Sequence, residues 1–230
     1  MMNIDEMAAT ETSKSSRYEV YKPLLGLLAV PVINLIYVLQ NRPWGNVYSL
    51  VTEVDRNLPF LPEFAVPYML WYPFLFLVFF LILRKDKREY YQTLIAMCCG
   101  ILLSNLVYLV FQTMVPRPEV PSTGFFNGLV NYLYSHDEPY NCFPSVHVLT
   151  STLMVLGSRS LGWKLRIPIV LFASSIIAST LFIKQHVIAD LLAAMLLAKF
   201  VFWAADKLIA ANDARLAGKA MEARYANHER

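Results

Sequence analysis

Residues 64–83 read FAVPYMLWYPFLFLVFFLIL, twenty positions without a charge. At about 1.5 Å per helical residue this run is about 30 Å long, the thickness of a bilayer's hydrocarbon core. It predicts a membrane-spanning helix. Pro67 and Pro73 lie inside it, which membrane helices tolerate when neighbouring groups satisfy the freed carbonyls. Outward from it lie five more apolar runs: Pro23 to Leu39, about Tyr91 to Phe111, about Val146 to Leu161 (a short one), Ile167 to Ile183 and Val187 to Ala205. The 230-residue chain is 57% hydrophobic and 16% charged, with mean hydropathy +0.44. Soluble domains are about 45–50% apolar and about 25% charged. The expected fold is therefore all-α, a polytopic bundle of six transmembrane helices.

The composition also excludes other classes. Aromatic residues make up 13% of the chain, too many for disorder in its bulk. A net charge of +3, with no single stripe of Lys and Arg, excludes a nucleic-acid partner. Three cysteines form no disulfide framework; Cys98, Cys99 and Cys142 are expected to pack. The expected organisation is a polar tail at 1–22, a membrane domain at 23–205 and a helical tail at 206–230. The first twenty residues lack a small-residue cleavage site, so the first run reads as a retained span. With the N-terminus inside, fifteen of the 20 Lys and Arg residues fall on inner segments. Arg42, Arg56, Arg117 and Lys184 fall outside, and Lys199 lies within the last run. That asymmetry predicts cytoplasmic termini.

Polar residues suited to chemistry gather at the outer ends of the third to sixth runs. They are Arg117-Pro118, then Asn141-Cys142-Phe143-Pro144-Ser145-Val146-His147, then Lys184-Gln185-His186-Val187-Ile188-Ala189-Asp190. His186 and Asp190 are four apart and share a helix face. A carboxylate there fixes one ring nitrogen and leaves the other as a more basic nucleophile. The plain alternative is a surface histidine beside an N-terminal acid. A metal pair would need further ligands; His147 and Asp137 are available, but no metal spacing is present. Pro144 starts a helix well, and the N–H groups of a helix start, with the Ser145 hydroxyl, suit an anion. Ser145 is alternatively an ordinary cap, Arg117 a headgroup contact and Lys184 a snorkelling anchor. Together these residues form a cationic pocket with two histidines, as phosphoryl transfer requires.

Arg117-Pro118, Pro144-Ser145-Val146-His147 and His186-Val187-Ile188-Ala189-Asp190 together resemble the type 2 phosphatidic acid phosphatase (PAP2) superfamily, over roughly residues 90 to 205. Three positions depart from the family motifs. Val110 stands at the first-motif lysine, Val146 at the second-motif glycine and Thr180 at the third-motif arginine. The forms Phe-Pro-Ser-x-His and Lys-Gln-His-x3-Asp are similar to the branch that contains inositol phosphorylceramide synthases. The resemblance implies that His186 attacks phosphorus, Asp190 orients it and His147 handles the proton. Arg117, Ser145, Lys184 and Asn141 would hold phosphate oxygens, with Lys184 standing in for the missing arginine. It implies a lipid phosphate as substrate among membrane lipids, no metal or other cofactor, and a site on the extracytoplasmic face of the cell membrane. Hydrolysis and transfer to an alcohol are both open. The rival class is a transporter, whose mark would be ionisable groups deep in the spans; these runs are nearly free of them. An inactive scaffold would leave the clustered polar residues unexplained.

Overall fold

The computed structural model describes residues 21–228, with side chains to Met221. The expected tail at 1–22 thus lies outside the described residues, except for Tyr21 and Lys22. Among the described residues, five segments are helical, long and apolar enough to cross a membrane: α1 (Lys22–Gln40), α3 (Pro62–Lys85), α4 (Lys87–Val110), α7 (Trp163–Phe182) and α8 (Ile188–His228). α8 runs on without a break to His228, so the expected boundary at 205/206 is not a break in the helix. Short helices α2 (Glu53–Asn57), α5 (Phe125–His136) and α6 (Val146–Gly157) complete the described elements.

Local sequence sets these boundaries. The first seven residues of α1 are 3-10, with Pro23 at the start and Pro31 just inside the α-helical part. α3 breaks at Leu70, between Ala65–Met69 and Trp71–Lys85. Pro73 has no N–H for the Met69 carbonyl four residues back, so the ladder is interrupted there. Thr52 opens α2 with a capping box closed by Asp55. Gly124 precedes α5 at φ 93°, in the left-handed region that a side chain disfavours.

The expected fourth span, Val146 to Leu161, is instead a helix of only 12 residues. It is about 18 Å long. It packs against α3, α4, α7 and α8, and eight of its residues are buried. A helix apolar on every side is one surrounded by protein. The run is apolar for that reason, and its length falls short of a spanning helix. Close approach to α4 depends on two glycines. A methyl at Gly100 would meet Leu149 at 3.0 Å, and one at Gly157 would clash with the Thr93 hydroxyl.

The core lies between α3, α4, α6, α7 and α8, around Val78, Ile82, Ala96, Met97, Leu149, Leu153 and Ile176. The outward surface is apolar too. Leu25, Val32 and Leu39 on α1, Phe76 on α3, Leu171 on α7, and Leu196 and Phe200 on α8 are all exposed. Such a girdle marks contact with hydrocarbon. The fold is consistent with a polytopic membrane protein. Of the cysteines, Cys142 is buried and Cys98 half-buried, as expected of packing residues. Cys99 is exposed on α4, because its turn of the helix faces outward.

Candidate active site

The short α6 presents its N-terminus to a cavity of about 440 Å³. Ser145 caps α6, its Oγ accepting from the Val148 N–H. Tyr108 at the end of α4 donates to the Pro144 carbonyl at 2.6 Å, and Thr113 Oγ1 accepts from the Phe143 N–H at 2.9 Å. These bonds fix the loop that leads into His147. The His147 ring stacks on Tyr68 at 4.2 Å and meets Trp71 at 4.1 Å, both from α3. Its Nδ1 lies 3.4 Å from the Tyr68 hydroxyl, which leaves Nε2 for the cavity.

His186 comes from the turn between α7 and α8. The Thr180 carbonyl accepts from both the Gln185 and His186 N–H groups, at 2.9 and 3.0 Å. Lys184 takes φ 54° to make that turn. One Asp190 oxygen accepts from the Val187 N–H at 3.0 Å and faces His186 Nδ1 at 3.3 Å. The His147 and His186 rings stand 6.2 Å apart across the cavity. That value is the separation of the ring centroids, and both rings line the cavity.

Arg117 lies behind this wall. Its guanidinium donates to the Tyr134 and Asp137 carbonyls and, at 2.6 Å, to Gln185 Oε1, beside His186. It also stacks 4.4 Å over the Tyr134 ring. Burial pushes the Tyr134 hydroxyl up to about 12, with Arg117 acting in the opposite sense. Asn141, at φ 56°, accepts from Gln112 Nε2 through its side-chain oxygen at 3.0 Å. Asn141 Nδ2, Gln185 Nε2 and Arg117 Nε are buried donors without partners. Buried donors are almost always satisfied; Asn141 and Gln185 line the cavity, so their amide donors suit an acceptor there.

Several lining residues have no phosphate role in the sequence motifs, and Asp137 stands out there only as an available metal ligand. Asp137 Oδ1 accepts from the Tyr37 hydroxyl and from Asn41 Nδ2, at 2.9 and 2.7 Å, tying α1 to the site. Burial raises the Asp137 carboxyl above the usual range, against Tyr37, Arg117, His186 and Asn41, which lower it. Tyr68 and Trp71 were legible only as a polar-tipped aromatic pair three apart at a span end. Gln185 lies inside the Lys184–Asp190 motif, where spacing alone gives it no role.

Lys184 is placed elsewhere. Its ammonium donates to the Asp55 and Leu58 carbonyls, at 2.9 and 2.7 Å, at the end of α2. It does not line the cavity. The left-handed turn at Lys184 points its side chain away from His186, so a stand-in for the family arginine is not found there. Thr180, at that arginine's position, bonds its own helix through Oγ1, and Val110 is exposed. Among the described residues, no three His, Cys, Asp or Glu side chains converge as metal ligands do.

The fold and site define a helical membrane protein with a histidine pair at one end of a central short helix. Residues 62–204 match the family model described as PAP2 superfamily, and the chain belongs to that superfamily. Membership suggests a phosphatase or phosphotransferase. No curated protein and no solved structure matches the chain.

Proposed function

We propose that this chain transfers phosphoryl groups from a lipid phosphate or diphosphate by way of a phosphohistidine at His186. The observation that carries this reading is the pair of imidazoles 6.2 Å apart, one of them held by a buried carboxylate. Asp190 holds Nδ1 of His186, and Nε2 attacks phosphorus. The ester P–O bond breaks, and the departing oxygen takes a proton from His147. A water or alcohol then returns a proton to His147 as its oxygen attacks phosphorus and the P–N bond breaks. The first N–H groups of α6 have no partner within the helix. They act on the developing charge together with Asn141, Gln185 and Arg117, and Ser145 holds the helix start in place. The lipid tails lie along the exposed apolar faces. Water as acceptor gives the phosphatase, which the family favours. An alcohol as acceptor gives the phosphotransferase that the Phe-Pro-Ser-x-His form resembles. On the charge asymmetry, both termini are cytoplasmic and the site is extracytoplasmic.

The test is phosphate release from a panel of lipid phosphates by purified protein, with and without inositol as acceptor, and acid-labile labelling of the protein. Release with labelling that His186→Ala abolishes is expected. Turnover without any labelled intermediate would overturn the covalent route.

A further inference from the structure

A second cavity, of about 540 Å³, lies at the opposite end of α6. It sits about 20 Å along α8 from His186, between the start of α4, the end of α6 and the middle of α8. Three acids and three cations line it, and of the acids only Asp206 faces a cation. Asp86 caps α4 through the Glu89 N–H, Glu89 accepts from the Ser160 N–H at 2.9 Å, and Asp206 pairs with Arg88 at 2.8 Å. Two cations remain. Arg159 lies 5.0 Å over the Phe202 ring. Lys199 lines the cavity and is exposed, eleven residues into the apolar stretch of α8. Neither has a carboxylate partner among the described residues. Ser160 also lines the cavity, and its buried hydroxyl has no partner. The outer wall is Trp203, exposed on the apolar girdle.

An unpaired cation within a span is expensive and marks a ligand. Two cations and an unused hydroxyl, open to the hydrocarbon, suit a phosphate whose acyl chains lie against the helices. Lys and Arg side chains between spans bind lipid headgroups in this way. We propose that this cavity binds the phosphate of an anionic glycerophospholipid, separately from the histidine site. Such a lipid joins α4, α6 and α8 at the end far from the chemistry.

The test uses the full chain in neutral detergent, with native mass spectrometry of retained lipid. Phosphatidylglycerol and phosphatidylcholine of the same acyl chains are compared, and inorganic phosphate is added in a separate arm. Retention of phosphatidylglycerol about 10-fold over phosphatidylcholine is expected. Arg159→Gln with Lys199→Gln should remove the preference. Lys164→Gln with Arg166→Gln, at the same end but outside the cavity, should keep it. Lys199→Met alone, apolar within an apolar span, serves if the double variant does not fold, and should weaken the preference several-fold. Equal retention of both lipids, or an unchanged preference in the cavity variants, overturns the proposal. So does inorganic phosphate that displaces phosphatidylglycerol completely at millimolar concentration, since the site would then take a free anion.

Discussion

Lys184 and Asp55 clasp each other's segments. The Lys184 ammonium donates to the Asp55 carbonyl, while Asp55 Oδ1 accepts from the Ile188 N–H at 2.9 Å. Three residues separate Lys184 from Ile188, and His186 is the middle one. The turn that carries the proposed nucleophile is thus pinned on both sides by one five-residue helix, α2. Desolvation lowers the Lys184 ammonium from its usual range, with Asp55 acting in the opposite sense.

Lys184→Ala should therefore lower activity through position. It strips two carbonyls of a charged donor, worth about 1–3 kcal/mol. Asp55→Ala should produce a similar loss of thermal stability, and the double variant should lose less than the sum of the two. Thermal melts and kcat on one substrate check this. Additive losses would mean that the two residues act independently.

Acid should release the same clasp. Burial works against the Asp55 charge, but hydrogen bonds from Thr52 and Ile188, with Lys184 nearby, hold its carboxyl below the usual range. A depressed carboxyl contributes stability that is full above the unfolded value, about 3.9. That stability is lost as pH falls through the folded value. Melting temperature followed from pH 7 to pH 3 should drop at the acid end in wild type. Asp55→Asn should flatten that drop.

His186→Ala should abolish turnover by at least about 10³-fold and leave the fold intact, because the residue lies in a turn rather than in the packed core. Asp190→Asn should cost less, about 10–100-fold, since an amide still reaches the ring and the Val187 N–H. Phosphate release and circular dichroism on both variants check the ordering. Wild-type turnover by His186→Ala would remove it as the nucleophile.

His147→Ala should depend on the leaving group. A substrate whose leaving alcohol is acidic, such as a nitrophenyl phosphate, needs no proton donor. The variant should keep most of its rate on that substrate and lose about 10²–10⁴-fold on an alkyl lipid phosphate. Equal losses on both would assign His147 to binding.

Gly157→Ala should destabilise the bundle by about 1–3 kcal/mol, because its methyl strikes Thr93. Thr93→Ala should restore much of that loss in the double variant. Detergent melts of the three proteins check the pair.

Spans were legible because apolar length is a property of each segment alone. The start of α4 and the run of α7 fall within a few residues of expectation. α6 was legible as apolar, but hydropathy does not separate a helix buried in protein from one bathed in lipid. α2 and α5 were not anticipated: five and twelve residues carry little periodic signal, although the Thr52–Asp55 box was there to read. At the site, His147, His186 and Asp190 were legible by spacing, and the structure brings them together. Lys184 misled because two residues from a histidine says nothing of direction. A positive φ turned it outward.

The 12 residues of α6 are short by about 12 Å of a hydrocarbon core about 30 Å thick. The two cavities lie at the two ends of α6. About 18 Å of continuous helix separates the two ends of α6. His147 and His186 line the cavity at one of those ends. The loop that leads into His147 and the residues after Gly157 that line the second cavity are thus joined by one unbroken rod, so a shift of α6 along its axis is felt at both cavities.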